Sequence, residues 1–184
     1  MLTIDWIRHT TLLVTGAICY GQTDVDVSDN FISEAEEVKK SLAPHSYQAV
    51  FASPLQRARK LAEYSGLDYD LDPRVMERDF GEWEMTPWDE IFERLREQYP
   101  DSDYRNHLEL MAPPGGETVN QLIGRVKDFI EELRGKYTGR VAVFCHGGVI
   151  NSARYLKGDL DLEHLFVEVP PYGSITSIEY PDHL

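Results

Sequence analysis

The sequence is poor in cysteine, in long apolar runs and in basic residues, and each shortage excludes a class of protein. Its two cysteines, Cys19 and Cys145, cannot form a disulfide framework, so the cytoplasm is the expected compartment. No apolar run approaches the roughly 20 residues that span a bilayer, which argues against a membrane partner. The N-terminus has no basic segment ahead of a long apolar stretch, so it predicts a first strand and not a signal peptide.

The shortage of basic residues sets the overall charge. Against 32 acidic residues there are only 18 Lys and Arg, which gives a formal net charge of −14. Proteins that bind nucleic acid neutralise its phosphates with a basic face, so this charge argues against nucleic acid as a partner. An anionic small molecule would gain no long-range attraction from the protein as a whole. Its binding would therefore depend on a locally positive pocket.

Internal repeats and low-complexity segments are absent as well, and the remaining composition is that of an ordinary globular protein. Hydrophobic residues make up 42% of the chain and charged residues 27%. A length of 184 residues predicts a single domain over residues 1–184. Because no histidine or cysteine pair has the spacing of a zinc ligand set, we expect no metal, and we also expect no cofactor. Composition neither predicts nor excludes a homodimer.

Apolar runs and helical periodicity alternate along the chain. Strands are predicted at 2–7, 47–52 and 140–145, with an extended piece at 68–72 and a last strand near 174–180. Helices are predicted at 31–43, 53–64, 87–98, 117–134, 148–157 and, in a short form, at 161–166, with Ser53-Pro54 and Thr86-Pro87 as cap-then-proline starts. The alternation predicts an α/β fold, a three-layer sandwich whose mainly parallel central sheet carries helices on both faces. Residues 80–116 are long for a connection and are interpreted as a lid insertion.

Polar side chains follow three of the predicted strands at the point where each strand ends. Arg8 and His9 follow the first, the run from Ser53 to Arg57 follows the second, and His146 with Gly147 follows the run that ends at 145. The carboxyl edge of an open α/β sheet is where ligands bind. Two imidazoles and two guanidiniums at that edge predict a pocket for a phosphoryl group.

The chemistry of a phosphate ester assigns these residues distinct roles. Arg8 and Arg57 would neutralise the phosphoryl oxygens, since the planar guanidinium donates two parallel hydrogen bonds. His9 would be the nucleophile, because neighbouring guanidiniums oppose its protonation. His146 would donate to a phosphoryl oxygen in the transition state, and Gly147, at the start of a helix, would present a backbone N–H to the anion. An acid is also needed to protonate the departing oxygen, and Glu77, Asp79, Glu82 and Glu84 are all candidates that spacing does not separate.

Six motifs in order along the chain resemble the histidine phosphatase superfamily, which has the phosphoglycerate-mutase-like fold. They are Arg8-His9, Tyr20 to Asp24, Ser53 to Ala58, Met76 to Glu84, Pro114 to Glu117 and His146 to Gly148, and they cover nearly the whole chain. The resemblance implies His9 as the phosphorylated nucleophile, Glu77 as the proton donor and acceptor, and Arg8, Arg57 and His146 as the phosphate pocket.

One departure from the family pattern follows the first histidine. The family has a glycine there and an asparagine a few residues later, whereas this chain has Thr10 and Thr11 and no asparagine before Asn30. Thr10 is therefore expected to adopt a backbone that glycine would allow more freely. Either the loop differs, or Gln22 and a threonine side chain replace the missing amide, and Gln22 is taken as a substrate-binding residue.

Within the superfamily the chain most resembles the α-ribazole phosphatases of cobalamin assembly, in the runs from Cys19 to Asp24 and from Phe80 to Asp89. Over 82–112 it has nine acidic residues against three arginines, where a phosphoglycerate mutase would need extra cations for a second anionic group. Instead this segment offers aromatic residues that could stack on a flat base such as benzimidazole: Trp83, Trp88, Phe92, Tyr99 and Tyr104.

The expected function is therefore hydrolysis of a small phosphate monoester, α-ribazole 5′-phosphate, through a phosphohistidine. The alternatives are a phosphoglycerate mutase, a broad-specificity sugar-phosphate phosphatase and an inactive module that binds phospho-ligands. An inactive module would be expected to lack His9 or Glu77, and both are present. The remaining histidines are predicted to have no part in the site: His45, His107, His164 and His183.

Overall fold

A computed structural model of the chain describes residues 1–100 and 112–181. Five strands form the main sheet: β1 (Leu2–Arg8), β3 (Ala49–Ala52), β4 (Asp70–Leu71), β6 (Arg140–Cys145) and β7 (Ile175–Tyr180). Their order across the sheet is β4-β3-β6-β1-β7, and only β7 runs antiparallel to its neighbour. Two further strands, β2 (Ile18–Cys19) and β5 (Thr86–Pro87), pair as a separate antiparallel ribbon.

Five α-helices lie in the described part of the chain: α1 (Phe31–Leu42), α2 (Gln56–Ser65), α3 (Trp88–Gln98), α4 (Val119–Lys136) and α5 (Gly147–Lys157). Short 3₁₀ turns lie at Pro73–Val75, Gly81–Trp83 and Leu162–His164. The helix predicted at 161–166 is the last of these turns.

The alternation of side chains along β6 divides the main core into two layers. Val141, Val143 and Cys145 pack with apolar residues of α4 and α5, such as Leu122 and Ile150. Ala142 and Phe144 face the opposite side, where they join residues of α1 and α2. Successive residues of a strand point to opposite faces of the sheet. A strand that is buried on both faces therefore has an uninterrupted apolar sequence. The predicted three-layer α/β fold is confirmed.

The described part of the segment interpreted as a lid has a small core of its own. Phe80, Trp83, Ile91 and Leu95 pack together with Cys19 from β2. Residues 101–111 lie outside the described residues, and the lid interpretation stays a prediction.

Both cap-then-proline starts were wrong. α2 begins at Gln56, because Ser53 is fully buried and its hydroxyl lies 2.8 Å from His146 Nε2 instead of capping a helix. Thr86 and Pro87 form β5, so α3 begins one residue later than predicted, at Trp88, without a side-chain cap.

The expectation for Thr10 was also wrong. Among the described residues, Met85 is the one non-glycine residue with positive φ, at 62°. Thr10 therefore has a backbone that any L-residue adopts, and replacement of the family glycine causes no strain in φ. Its side chain is fully buried.

Candidate active site

The carboxyl ends of β1 and β6 place the two predicted catalytic histidines side by side. Arg8 ends β1 and His9 follows it, while His146 follows the last residue of β6. The two imidazole rings have their centroids 5.3 Å apart, and both side chains are almost completely buried. The predicted convergence of the two histidines is thus observed, because parallel neighbouring strands end at the same sheet edge.

The hydrogen bonding of His9 orients its ring. Nδ1 lies 2.8 Å from the carbonyl oxygen of Thr10. Since a carbonyl can only accept, Nδ1 carries the proton, and in the neutral ring Nε2 has the free lone pair. Burial lowers the pKa of His9 well below its usual value, and the positive charges of Arg57 and Arg8 lower it further. His9 is therefore a neutral imidazole with Nε2 available as a nucleophile.

His146 lies beside it in a similarly dry environment. Burial, followed by the charge of Arg57, lowers the pKa of His146 well below its usual value. Its Nε2 lies 2.8 Å from the hydroxyl of Ser53, and this contact fixes the plane of the ring. The sequence motif that contains Ser53 gave no sign of this role, because serine before proline is also typical of a helix cap.

Main-chain carbonyl groups hold the two predicted phosphate-binding arginines. Arg57, fully buried, donates from Nη1 to Thr23 O at 2.8 Å and from Nη2 to Gly21 O at 2.5 Å. Arg8 donates from Nη1 to Pro170 O, also at 2.5 Å. Neutral carbonyls orient the guanidiniums without cancelling their charge, so the positive potential remains available to an anion.

Several buried polar atoms around the histidines have no hydrogen-bond partner within the described part of the chain. They are Arg8 Nε, Thr10 Oγ1, Arg57 Nε and His146 Nδ1. A buried donor without a partner costs about 1–3 kcal/mol. An oxyanion would supply the acceptors that these groups lack, which is the arrangement expected of a phosphate pocket.

Of the four candidate acids, only Glu77 faces this region. Its carboxylate accepts hydrogen bonds from the backbone N–H of Gly148 at 3.1 Å and of Arg78 at 2.8 Å. Glu84 accepts from the backbone N–H groups of Gln22 and Thr23 and so ties two loops together. Asp79 accepts from Gly81 N, and Glu82 does not line the cavity described below. The tertiary structure thus distinguishes Glu77 from the other three candidate acids, which their spacing in the sequence could not do.

A cavity of about 320 Å³ opens beside these residues and has an apolar wall. Among the residues that the structure describes, Arg8 and Glu77 are the charged side chains that line it. The rest of the wall is mainly apolar and aromatic: Ile18, Cys19, Tyr20, Phe80, Trp88, Phe166, Val169 and Tyr172, with Gly16, Gly21 and Gly148.

The aromatic residues predicted to contact the substrate divide into different roles. Trp88 lines the cavity, with Phe92 stacked behind it at a centroid distance of 5.8 Å. Trp83 is buried in the small core and Tyr99 packs against that core, and neither side chain is part of the cavity wall, so stacking on a substrate stays a prediction for both. Tyr104 lies outside the described residues.

Gln22 lies behind Glu77 and is not part of the cavity wall. Its side-chain amide donates to the carbonyl oxygen of Glu77 at 3.0 Å. The amide nitrogen proposed to replace the family asparagine is therefore already engaged, and substrate binding by Gln22 stays a prediction. Gly147 begins α5, and the N-terminus of that helix faces the site as expected.

Sequence reasoning missed Tyr172. The Arg8 guanidinium lies 4.0 Å from the centre of its ring, and the ring centroid is 5.6 Å from that of His9. Tyr172 reaches the site because β7 is antiparallel and therefore starts beside the end of β1, where Ile175 pairs with Ile7. The sequence contains a last strand but no signal for its direction.

The histidines predicted to have no role lie elsewhere or outside the described residues. The His45 ring packs edge-on against Tyr47, and His164 lies 3.9 Å from Glu163. His107 and His183 fall in the parts that are not described. No helix in the described ranges combines the length and the apolar character needed to cross a membrane.

Comparison with known proteins gives a family match over nearly the whole chain. The sequence model of the histidine phosphatase superfamily (branch 1) matches residues 6–183. Phosphoserine phosphatase 1 of Hydrogenobacter thermophilus is 28% identical over 142 residues, which are 73% of this chain and 65% of that protein. The metal-independent phosphoserine phosphatase of Arabidopsis thaliana is 31% identical over 160 residues, which are 82% of this chain and 66% of that protein. The chain thus spans slightly less than two thirds of the length of these relatives.

Solved structures share the fold. A mycobacterial glucosyl-3-phosphoglycerate phosphatase superposes with a TM-score of 0.81 at 20% identity, over 95% of this chain and 88% of that chain. The protein TTHB049 of Thermus thermophilus superposes with a TM-score of 0.76 at 26% identity, over 97% of this chain and 94% of that chain.

Proposed function

Because the chain belongs to the histidine phosphatase superfamily (branch 1), we propose that it hydrolyses a phosphate monoester through a phosphohistidine on His9. The observation that carries this proposal is the state of the His9 ring. Its Nδ1 proton is held by a carbonyl, its pKa is lowered by burial and by Arg57 and Arg8, and its Nε2 is left free. A neutral imidazole beside two guanidiniums is suited to attack phosphorus.

The reaction proceeds in two displacements. In the first, Nε2 of His9 bonds to phosphorus while the bond from phosphorus to the alcohol oxygen breaks, and protonated Glu77 donates its proton to that oxygen. In the second, water attacks phosphorus, Glu77 takes a proton from the water, and the phosphorus–nitrogen bond breaks. Phosphate leaves, and both residues return to their starting forms.

The surrounding residues stabilise the charge that the phosphoryl group carries in both steps. Arg8 and Arg57 bind its oxygens, with His146 and the backbone N–H of Gly147 as further donors. The site excludes most water, since His9, Arg57 and His146 are almost fully buried. Hydrogen bonds aimed at developing charge in such a site are each worth on the order of 10²–10³ in rate.

We propose α-ribazole 5′-phosphate as the substrate, and this substrate would give the enzyme a role in cobalamin biosynthesis. The wall of the cavity supports this choice. The Tyr20 and Tyr172 hydroxyls lie 3.5 Å apart, a distance at which each keeps hydrogen-bonding capacity for a ribose hydroxyl. Trp88 and Phe166 offer flat apolar surfaces for the benzimidazole ring. Phe80 and Trp88 come from the segment 80–116, which would act as a lid over this ligand.

A substrate with further charges fits this cavity poorly. Phosphoglycerate has a carboxylate, and phosphoserine has both a carboxylate and an ammonium group. The described part of the lining has one cation and one anion, Arg8 and Glu77, and the phosphoryl transfer itself needs both of them. Against this described part of the wall, a second anionic group would find no free cation, and burying it unpaired would cost several kcal/mol. Phosphoserine is nevertheless the second candidate, because three relatives have names that contain it.

The test is phosphate release from a panel of esters under identical conditions. The panel contains α-ribazole 5′-phosphate, phosphoserine, 3-phosphoglycerate, ribose 5-phosphate and p-nitrophenyl phosphate, with His9→Ala as the inactive control. We expect kcat/KM for α-ribazole 5′-phosphate to exceed the others by about a hundredfold. A preference for phosphoserine would overturn the substrate assignment. Tight binding of esters without any phosphate release would overturn the proposed hydrolysis in favour of a binding module.

A further inference from the structure

We infer that Arg125 and Glu117 are positioning residues that hold Glu77 in place for proton transfer; the inference rests on the proposed role of Glu77. Neither residue reaches the cavity that Arg8 lines. They act on the chain segment 74–79, which begins in the 3₁₀ turn that contacts α4. We call this pair the clamp.

The Arg125 guanidinium uses all of its N–H groups in the clamp. Nη1 donates to Arg74 O at 2.7 Å and to Met76 O at 2.6 Å, and Nη2 donates to Glu77 O at 3.0 Å. Nε and the second proton of Nη2 bind the two oxygens of the Glu117 carboxylate at 2.7 and 2.9 Å. Arginine has five N–H donors in a fixed plane, and these five contacts account for all of them. Lysine could not reproduce this pattern.

Glu117 completes the clamp on the far side of Glu77. Its Oε2 accepts from Asp79 N at 3.2 Å, and its backbone N–H donates to Asp79 O at 2.8 Å. Its carbonyl oxygen accepts from Arg78 Nε at 3.0 Å. The segment is therefore fixed before and after Glu77, and Gln22 donates to the same Glu77 carbonyl that Arg125 binds.

Main-chain position matters here because the carboxylate of Glu77 is tied to two partners on different parts of the fold. Gly148 N belongs to α5, whereas Arg78 N belongs to the clamped segment itself. If the segment shifts relative to α5, Glu77 cannot keep both hydrogen bonds and also face the phosphate pocket. A misplacement of about 1 Å in a reacting group costs roughly a hundredfold in rate.

The experiment compares Arg125→Lys with Arg134→Lys as a matched control. Both arginines lie on α4 and both side chains are 19% exposed, but Arg134 binds Glu131 and Pro181 O away from the site. For each variant, kcat/KM is measured on a simple alkyl phosphate, whose leaving group needs a proton, and on p-nitrophenyl phosphate, whose leaving group does not. Glu117→Gln is a second, milder variant that keeps an acceptor for Arg125.

We expect Arg125→Lys to lose about 10- to 100-fold more on the alkyl ester than on p-nitrophenyl phosphate, as impaired proton donation does. Glu117→Gln should show the same selectivity to a smaller degree, and Arg134→Lys should show none. Combining Arg125→Lys with Glu77→Gln should add little to the loss caused by Glu77→Gln alone, because both act on one step.

Equal losses on the two esters in Arg125→Lys and Glu117→Gln would overturn the inference and leave the clamp a structural element. The inference would also be overturned if the loss of kcat/KM in the double variant equalled the product of the losses in the two single variants. Failure of the proposed function looks different. If Glu77→Gln itself shows no selectivity for the alkyl ester, Glu77 is not the acid. If Glu77→Gln is selective while the clamp variants are not, only the clamp inference fails.

Discussion

Replacement of Gly148 by alanine should separate activity from stability. A Cβ at this position would lie 3.2 Å from Glu77 Cδ and in direct collision with Oε1. The backbone of Gly148 is not in the left-handed region, and the atoms that must give way belong to the end of a flexible side chain. The helix can therefore accept the methyl group, while the carboxylate of Glu77 has to move by on the order of 1 Å to restore an ordinary contact.

The magnitude follows from what this displacement breaks. The hydrogen bond from Gly148 N to Glu77 Oε2, now 3.1 Å, would be lost or lengthened, and the acid would no longer face the departing oxygen. We expect kcat/KM on alkyl esters to fall roughly a hundredfold, with a much smaller loss on p-nitrophenyl phosphate. The melting temperature should stay level or rise slightly, because alanine is favoured over glycine in helices by up to about 1 kcal/mol.

The assay is steady-state phosphate release on both esters, with thermal unfolding followed by circular dichroism. Gly135→Ala in α4 is the matched control, since a Cβ there would meet no heavy atom of the described residues within 4 Å beyond its own stretch of helix. It should gain stability without any change in activity. Full activity of Gly148→Ala on alkyl esters would refute the reasoning, because Glu77 would then act from some position other than the one observed.

Four further outcomes are expected. His9→Ala should abolish turnover with a native circular-dichroism spectrum, and residual activity above a few per cent would argue against His9 as the nucleophile. Glu77→Gln should lose roughly 10²- to 10⁴-fold on alkyl esters and far less on p-nitrophenyl phosphate, and equal losses would mean another role. Burial and the charges of the arginines lower the pKa of His9 and His146 in the folded state. Below about pH 6.5 the unfolded protein therefore binds more protons than the folded protein. As the pH falls, the two histidines lower the free energy of unfolding by up to about 2.7 kcal/mol per pH unit. Urea titrations at pH 5 to 7 would detect this change. Trp88→Ala should reduce the preference for α-ribazole 5′-phosphate over ribose 5-phosphate about tenfold, and an unchanged ratio would remove Trp88 from base recognition.

The charge of the site contrasts with the charge of the molecule. The chain has a formal net charge of −14, yet the residues around His9 include two guanidiniums whose nearest acceptors are neutral carbonyl groups of Gly21, Thr23 and Pro170. Among the acids, Glu77 has the largest electrostatic effect on Arg57, but the carbonyls and not a carboxylate hydrogen-bond the two guanidiniums, so neither is held in a direct ion pair among the described residues. Affinity for the phosphoryl group therefore depends on this local arrangement, and we expect it to be less sensitive to salt than binding to an exposed basic surface.

Patterns in the amino-acid sequence were sufficient to predict the layers of the fold and the location of the site. Strands buried on both faces appear as continuous apolar runs, and helices of a sandwich show one apolar face, so both patterns survive in the sequence. The end of such a run fixes which residue emerges at the sheet edge. This reasoning placed His9 and His146 there, and the structure brings their rings to 5.3 Å.

The groups that surround that pair depend on contacts between distant parts of the chain. The contact of Arg8 with Pro170 joins residues 162 positions apart, and that of Arg125 with Glu77 joins residues 48 apart. In both cases the acceptor is a main-chain carbonyl, which every residue has and which leaves no mark on the sequence. Ser53 looked like a helix cap for a related reason, since its partner, His146, lies 93 positions away. The choice of Glu77 among four acids likewise depends on α5, because a carboxylate faces a pocket only when a distant backbone is there to hold it.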